Sequence, residues 1–128
     1  MGSLCDYAET ELMDHLIGNA FSQPTLYIAL STTDFTDTGA SGTEPVGNGY
    51  IREAHAAWDA ATARATENTG VITFETASGA WGDIEYWAIF DQEALGGNAI
   101  AFGAFDVAKG IVDGNTATIA DAEIVVSV

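Results

Sequence analysis

The spacing of apolar residues changes once along the chain, at Pro24, and this change constrains the fold more than any other feature. Before Pro24, apolar residues recur every four positions, which is the spacing of one helical face. They are Leu4, Ala8, Leu12, Leu16 and Ala20, with Met13, Ile17 and Phe21 in an adjoining row. After Pro24 they recur every two positions, which is strand spacing. The sequence predicts one amphipathic N-terminal helix over about residues 4–21 and a β-rich region over residues 25–128.

The apolar row of the predicted helix needs a surface to pack on. The simplest interpretation is that it packs on the domain's own sheet. The alternative is that it packs in part on a neighbouring subunit. Gly18 and Asn19, followed by Pro24, predict where the helix ends.

The β-rich region divides into short strands separated by turn signals. Alternating residues predict strands at residues 25–31, 71–76, 84–91, 99–105, 116–119 and 123–128, the last at a sheet edge, with a further extended segment from Tyr50. Glycine-containing clusters at residues 95–98, 109–110 and 113–115 predict turns. Residues 54–65 stay open, because alanine favours a helix whereas Trp58 and the threonines favour a strand. About seven strands after one helix predict a single domain over residues 1–128, mainly β, an antiparallel β-sandwich or barrel.

The strand at residues 84–91 carries large apolar side chains on both of its faces. Strict alternation puts Ile84, Tyr86, Ala88 and Phe90 on one face and Glu85, Trp87, Ile89 and Asp91 on the other. A strand of this kind is expected to be covered on two sides, in the middle of a sandwich or against a partner chain.

Residues 32–49 are rich in Thr, Asp, Gly and Ser and predict a long surface loop with too little apolar content to build a core. Loops of this length in compact domains are usually functional, so the loop and its flank are the predicted contact site with another subunit. A carboxylate pair with Arg52, within the chain or across a contact, would fix the loop's base. The candidate interface residues are Thr32, Asp34, Asp37, Glu44, Pro45, Tyr50, Arg52 and Trp87.

The charge balance excludes several classes of partner. Nineteen acidic residues stand against three basic ones, and the net charge is −16. Duplex nucleic acids and anionic membranes bind cationic surfaces, so neither is an expected partner. No window approaches the roughly 20 apolar residues of a membrane span, and the first residues lack the features of a secretory signal. The acidity predicts either simple solubility or a surface that faces a basic partner.

The residues that usually carry chemistry are scarce or badly placed. His15 and His55 sit in no motif, and Cys5 is the single cysteine, so a nucleophilic triad and a zinc site are disfavoured. Asp34, Asp37 and Glu44 are better explained as a solvated loop than as a cation site. The aromatic residues Trp58, Trp81, Trp87 and Tyr86 are the candidates for a sugar-stacking platform, with core packing as the simpler explanation. We expect a non-enzymatic protein with no catalytic, cofactor or metal site.

Short motifs in order along the chain resemble a family of small tailed-phage structural proteins. They include Asp6-Tyr7-Ala8-Glu9, Leu26-Tyr27-Ile28-Ala29-Leu30-Ser31, Gly49-Tyr50-Ile51-Arg52, Val71-Ile72-Thr73-Phe74, Trp81-Gly82-Asp83-Ile84 and Trp87-Ala88-Ile89-Phe90-Asp91. The resemblance implies a virion component that is assembled in the host cytoplasm in many copies or as a homo-oligomer, with phage capsid or tail proteins as partners. An acidic, compact domain with a long loop suits a capsid decoration or cement role. The alternatives are a tail or tail-fibre adaptor and a carbohydrate-binding receptor module.

Overall fold

The computed structural model describes residues 1–19 and 22–128 and shows a mainly β fold with one short N-terminal helix. No helix in these ranges is long and apolar enough to cross a membrane. The predicted fold class is confirmed. The elements in chain order are β1 (Gly2–Leu4), α1 (Asp6–Leu16), β2 (Tyr27–Ser31), β3 (Glu53–Ala54), β4 (Ala65–Glu67), β5 (Ile72–Thr76), β6 (Gly82–Phe90), β7 (Ala99–Ile111), β8 (Thr116–Ile119) and β9 (Val125–Ser127).

Seven strands form a curled sheet, a half-barrel, in the order β3-β2-β6-β7-β1-β9-β4, and β5 pairs with β8 in a separate two-stranded sheet. Neighbouring strands are antiparallel except β1 and β9, which are parallel. The long β6–β7 hairpin forms the middle of the sheet. The predicted turn at residues 109–110 is wrong, because β7 continues through Lys109 and Gly110 opposite Ile84 and Asp83. Strand β9 is also internal, between β1 and β4, and is not the expected edge.

The helix is shorter than predicted. Leu4 follows the helical spacing but belongs to strand β1, where it pairs with Ala101 of β7. Cys5 is the extended residue that precedes the helix, and the helix ends at Leu16, just before Gly18 in the left-handed region (φ +105°). The predicted continuation through Ala20 and Phe21 lies outside the described residues.

The expectation that the apolar row of the helix packs on the domain's own sheet is wrong for most of that row. Ala8 is the buried residue of α1. The helix is anchored at its beginning, where the Cys5 amide donates to Ile100 O and the Asp6 amide donates to Asp37 O. Beyond this anchor the apolar side chains are exposed, at 45% for Leu12, 61% for Met13, 70% for Leu16 and 73% for Ile17.

An irregularity in the pairing of β6 with β7 changes which β6 residues share a face. The register shifts between Ile84 and Tyr86, where one residue of β6 lies opposite four residues of β7. Ile84 therefore joins Trp87 and Ile89 in the main core rather than facing away with Phe90. The main core lies between the half-barrel and the β5–β8 sheet. The opposite face of β6, with Phe90, is covered by the loop after β2 and the start of the helix, as expected for a strand covered on two sides.

Residues 54–65, left open by the sequence, bridge the two edges of the half-barrel. The His55 amide donates to Leu26 O beside β2, and the Thr69 amide donates to Ala57 O just past β4. Buried Asn68 holds this bridge to the end of the chain, because its side chain donates to Gly70 O and Ala120 O and accepts from the Ile124 amide.

Candidate functional site

The side chain of Arg52 is buried and forms a two-pronged ion pair with Glu44. Nε donates to Oε1 over 2.9 Å, and Nη2 donates to Oε2 over 2.7 Å. The two side chains are only 2% and 9% exposed. A planar guanidinium matches both carboxylate oxygens at once, which a lysine cannot do. The pair predicted at this loop is therefore formed within the chain.

The third guanidinium nitrogen joins the pair to the turn between β6 and β7. Nη1 donates to the carbonyl oxygens of Gln92, Ala94 and Gly96 at 3.0, 3.0 and 2.9 Å. The guanidinium also lies over the ring of Phe90, 3.8 Å from its centroid. One side chain thus ties the loop after β2 to the turn at the end of β6.

Tyr50 extends this network into strand β2. Its hydroxyl donates to Glu44 Oε1 over 2.7 Å and accepts from the Leu30 amide over 3.0 Å. Strand β3 pairs only with Tyr27 and Ile28, so at Leu30 the tyrosine oxygen replaces a strand partner. Burial, and next the Glu44 carboxylate, raise the pKa of Tyr50 above its ordinary value, which keeps it a donor. We call Arg52, Glu44, Tyr50 and Phe90 the Arg52 clamp.

The loop that precedes the clamp is packed, contrary to the expectation that it lacks apolar anchors. Phe35 is 2% exposed and meets Phe90 edge to face, with ring centroids 5.8 Å apart. Gly42 lies directly on the Phe35 ring, where a Cβ atom would collide with it. Ser31 Oγ accepts from the Thr43 amide over 2.7 Å and closes the base of the loop.

The structure brings Glu44, Tyr50 and Arg52 together and places Pro45 beside them. The other candidates from the sequence lie apart. Thr32 is half-buried at the loop base, where its amide donates to Thr43 O. Asp34 is exposed and accepts from the Thr36 amide, and Asp37 is exposed near the start of the helix.

Two candidate interface residues, Arg52 and Trp87, are buried, so neither side chain is available for direct contact with another subunit. Arg52 is 3% exposed, in the clamp, and Trp87 is 1% exposed, inside the main core. The burial of Trp87 is the tighter of the two. The ring of Trp87 lies so close to Gly2 and Gly103 that a Cβ atom at either position would collide with it. Alternation puts Trp87 on the same face of β6 as Ile89, but it cannot tell that this is the face that packs in the main core.

Outside the clamp, three exposed apolar side chains surround a shallow cavity of about 190 Å³ that Arg52 also lines. Val46 is 83% exposed, Ile51 40% and Leu95 62%. We call these three residues the clamp surface. Glu93 lines the same cavity. Burial, followed by the charges of Glu75 and Glu93, raises the pKa of nearby Glu53, so the surroundings are acidic.

The sequence reasoning did not find Phe35, Phe90 and the three turn carbonyls as parts of this site. The only signal was the Gly96-Gly97 pair, which marks the turn but not the direction of its carbonyls.

The candidate sugar-stacking residues do not form one platform. Trp81 is 4% exposed and donates its ring N–H to Asn48 O, and Trp58 donates to His55 O. Tyr86 packs against the smaller core cluster, on the face of β6 opposite Trp87. Over residues 1–19 and 22–128, no three His, Cys, Asp or Glu side chains are arranged to hold a metal ion.

Comparison with known proteins gives one family. The model of the family described as Podophage GP4 fiber I protein gp80 matches residues 3–127. No curated protein matches the chain. The resemblance to tailed-phage structural proteins is confirmed. Because the match covers nearly the whole chain, the protein belongs to the Podophage GP4 fiber I protein gp80 family and is a phage fibre structural protein.

Proposed function

We propose that this protein is a non-enzymatic part of a phage tail fibre and that it attaches to another virion protein through the clamp surface. The fibre description of the family supports the tail-fibre adaptor alternative over the capsid decoration role that we expected first. The packing of Trp81 and Trp87 in the core gives no support to a carbohydrate-binding receptor module.

The observation that carries the proposal is the Arg52 clamp. Its hydrogen bonds fix residues 44–52 against the β6–β7 turn, so Val46, Ile51 and Leu95 are held in place before any partner arrives. Binding normally loses free energy in ordering loops and side chains. A preorganised apolar surface avoids much of that loss, and contiguous exposed apolar groups commonly mark protein contacts.

The same geometry supports a structural rather than a catalytic role. All three guanidinium nitrogens of Arg52 donate to acceptors within the chain, and both oxygens of Glu44 accept from Arg52 or Tyr50. General acid–base catalysis needs a titratable group that can reach a substrate proton. In the clamp, the guanidinium, the carboxylate and the tyrosine hydroxyl are hydrogen-bonded to one another.

The test is incorporation of Val46→Asp protein into particles, with Val107→Asp as the matched control. Val46 and Val107 are 83% and 76% exposed, and Val107 lies on β7, away from the clamp surface. Both variants should melt like the wild type. We expect Val46→Asp to fall at least about tenfold in fibre incorporation, since a charge in an apolar contact costs more than about 1.4 kcal/mol. Equal incorporation of the two variants would overturn the clamp surface as the contact.

The location is tested separately by mass spectrometry of purified heads and purified tails from one preparation. We expect the protein in the tail fraction. Recovery with heads would contradict the tail-fibre assignment and return capsid decoration as the better explanation.

A further inference from the structure

The second half of α1 presents a continuous apolar patch that the described chain does not cover. Its members are Leu12, Met13, Leu16 and Ile17, all between 45% and 73% exposed. Residues four apart on a helix are neighbours, so Leu12 and Leu16 form one row and Met13 and Ile17 the next. We call these four residues the helix patch. It is separate from the clamp surface and does not depend on it.

Negative charge lies at the N-terminal end of the helix patch. At about 100° per residue, Asp6 and Glu9 lie on the same face of α1 as the patch, directly before it. Glu11 and Asp14 lie on the opposite, half-buried side of the helix. The helix contains no lysine or arginine, and His15 is the basic residue of its last turn.

This charge argues against a second copy of the chain as the occupant. Two copies that each carry a net charge of −16 repel each other, and two parallel helices would also bring Asp6 and Glu9 of one copy against the same residues of the other. The chain has only three Lys and Arg residues with which to compensate. Arg52 pairs with Glu44 and Lys109 pairs with Glu123, which leaves Arg64 as the one of these three residues outside an ion pair in the described ranges.

We propose that the helix patch docks an amphipathic helix of a different virion protein, one with an apolar row that ends in lysine or arginine. The apolar row of such a helix covers Leu12, Met13, Leu16 and Ile17. The cations at the end of the row meet Asp6 and Glu9. Helix-on-helix docking of this kind uses apolar anchor residues at positions i, i+3, i+4 and i+7. Charges beside the apolar contact select the partner.

The test uses the full chain and two synthetic amphipathic peptides of about 18 residues, long enough to form a helix. Both carry the same leucine row, which ends in lysines in one peptide and in glutamates in the other. Binding is followed by fluorescence anisotropy. We expect the lysine peptide to bind, the glutamate peptide not to bind, and the affinity for the lysine peptide to fall at least about fivefold between about 0.05 M and 0.5 M salt.

Two uncharged substitutions distinguish docking at the helix patch from charge attraction alone. Leu16→Gln alters the helix patch and Leu95→Gln alters the clamp surface, at similar exposures of 70% and 62%. We expect Leu16→Gln to weaken binding of the lysine peptide at least about tenfold, while Leu95→Gln and both melting curves stay at wild-type values. Equal binding by wild type and Leu16→Gln, or loss of binding in Leu95→Gln alone, would overturn the helix patch.

The competing occupant is tested by sedimentation of the protein without peptide. We expect a monomer mass that does not change with concentration. A dimer that forms in the wild type and is abolished by Leu16→Gln would show that a second copy covers the patch, and would overturn the basic partner. Neither result depends on whether Val46→Asp protein enters fibres, so the helix patch and the clamp surface can each be rejected as a docking site independently of the other.

Discussion

Arg52 and Glu44 form a two-pronged ion pair inside a protein whose other carboxylates are mostly at its surface. Such buried pairs often add little net stability compared with apolar groups of the same size, because both charges lose their water. Their main effect here is on geometry, because the guanidinium can donate to the carboxylate and to the turn carbonyls together in only one arrangement. Removing one partner of the pair should nevertheless lower the free energy of unfolding, because the other charge is left buried and unpaired.

Arg52→Met removes the cation and keeps much of the side-chain volume. It leaves the Glu44 carboxylate buried without a cation and removes the Arg52 donor from the carbonyls of Gln92, Ala94 and Gly96. We expect a loss of about 3–5 kcal/mol in the free energy of unfolding, measured by urea denaturation. Arg64→Met is the control, because Arg64 is exposed, and should change stability by less than about 0.5 kcal/mol. Similar unfolding curves for both variants would contradict the clamp.

Tyr50→Phe removes one hydroxyl and leaves the Leu30 amide without an acceptor inside the fold. An unsatisfied buried donor costs about 1–3 kcal/mol, so the midpoint of urea unfolding should shift accordingly. Tyr27→Phe is the matched control, because the hydroxyl of half-buried Tyr27 has no hydrogen-bond partner in the described part of the chain. If Tyr27→Phe is as harmful as Tyr50→Phe, the loss comes from packing and not from the hydrogen bond.

Cys5 should be chemically inert in the folded protein. Its side chain is 1% exposed. Burial, followed by the charges of Asp37, Asp6 and Glu9, raises the pKa of the thiol to about 12. Alkylation needs the thiolate, so at about pH 8 labelling by iodoacetamide should be at least about a thousandfold slower than in the unfolded chain. Mass spectrometry of native and denatured samples measures the ratio. Rapid labelling of native protein would show that the segment around Cys5 opens.

Glu53→Gln tests the acidic surroundings of the clamp surface. Because the pKa of Glu53 is raised by burial and then by Glu75 and Glu93, the folded protein holds this proton more tightly than the unfolded chain does. The carboxylate therefore lowers stability as the pH rises through its folded pKa. We expect Glu53→Gln to melt at a higher temperature than the wild type at about pH 7. The gain should shrink as the pH falls towards about 4.3, the ordinary pKa of a glutamate.

Any such substitution also reduces the net charge of −16, so Glu85→Gln, at an exposed position on β6, serves as the comparison. If the two variants gain equally at every pH, the effect is general repulsion and not the local environment of Glu53.

Alternation of apolar residues predicted the strands that have one face in the core. β2, β5, β6 and β8 lie within one or two residues of the predicted positions. β1 was missed, since three residues that include a glycine carry no alternation. The register shift between β6 and β7 was missed because the extra residues lie in β7, and the alternation within β6 carries no sign of them.

The site was predicted in part. Glu44, Tyr50 and Arg52 were chosen because a rare cation beside a long acidic loop implies a carboxylate partner, and the structure brings all three together. Phe35 was overlooked as a single aromatic in a polar stretch. The exposed helix patch could not be foreseen, because helical spacing tells which residues share a face but not what covers that face.

The bridge formed by residues 54–65 leaves the half-barrel with little unpaired strand edge. The edge strands of the half-barrel, β3 and β4, are only two and three residues long, and the amides of Asp59 and Thr62 already bond to Glu67 and Ala65 of β4. Long unpaired edges are the templates on which cross-β fibrils and domain-swapped chains grow. Newly made copies at high concentration therefore offer each other little unpaired backbone. We expect this sheet to resist amyloid-like polymerisation during assembly of the phage fibre.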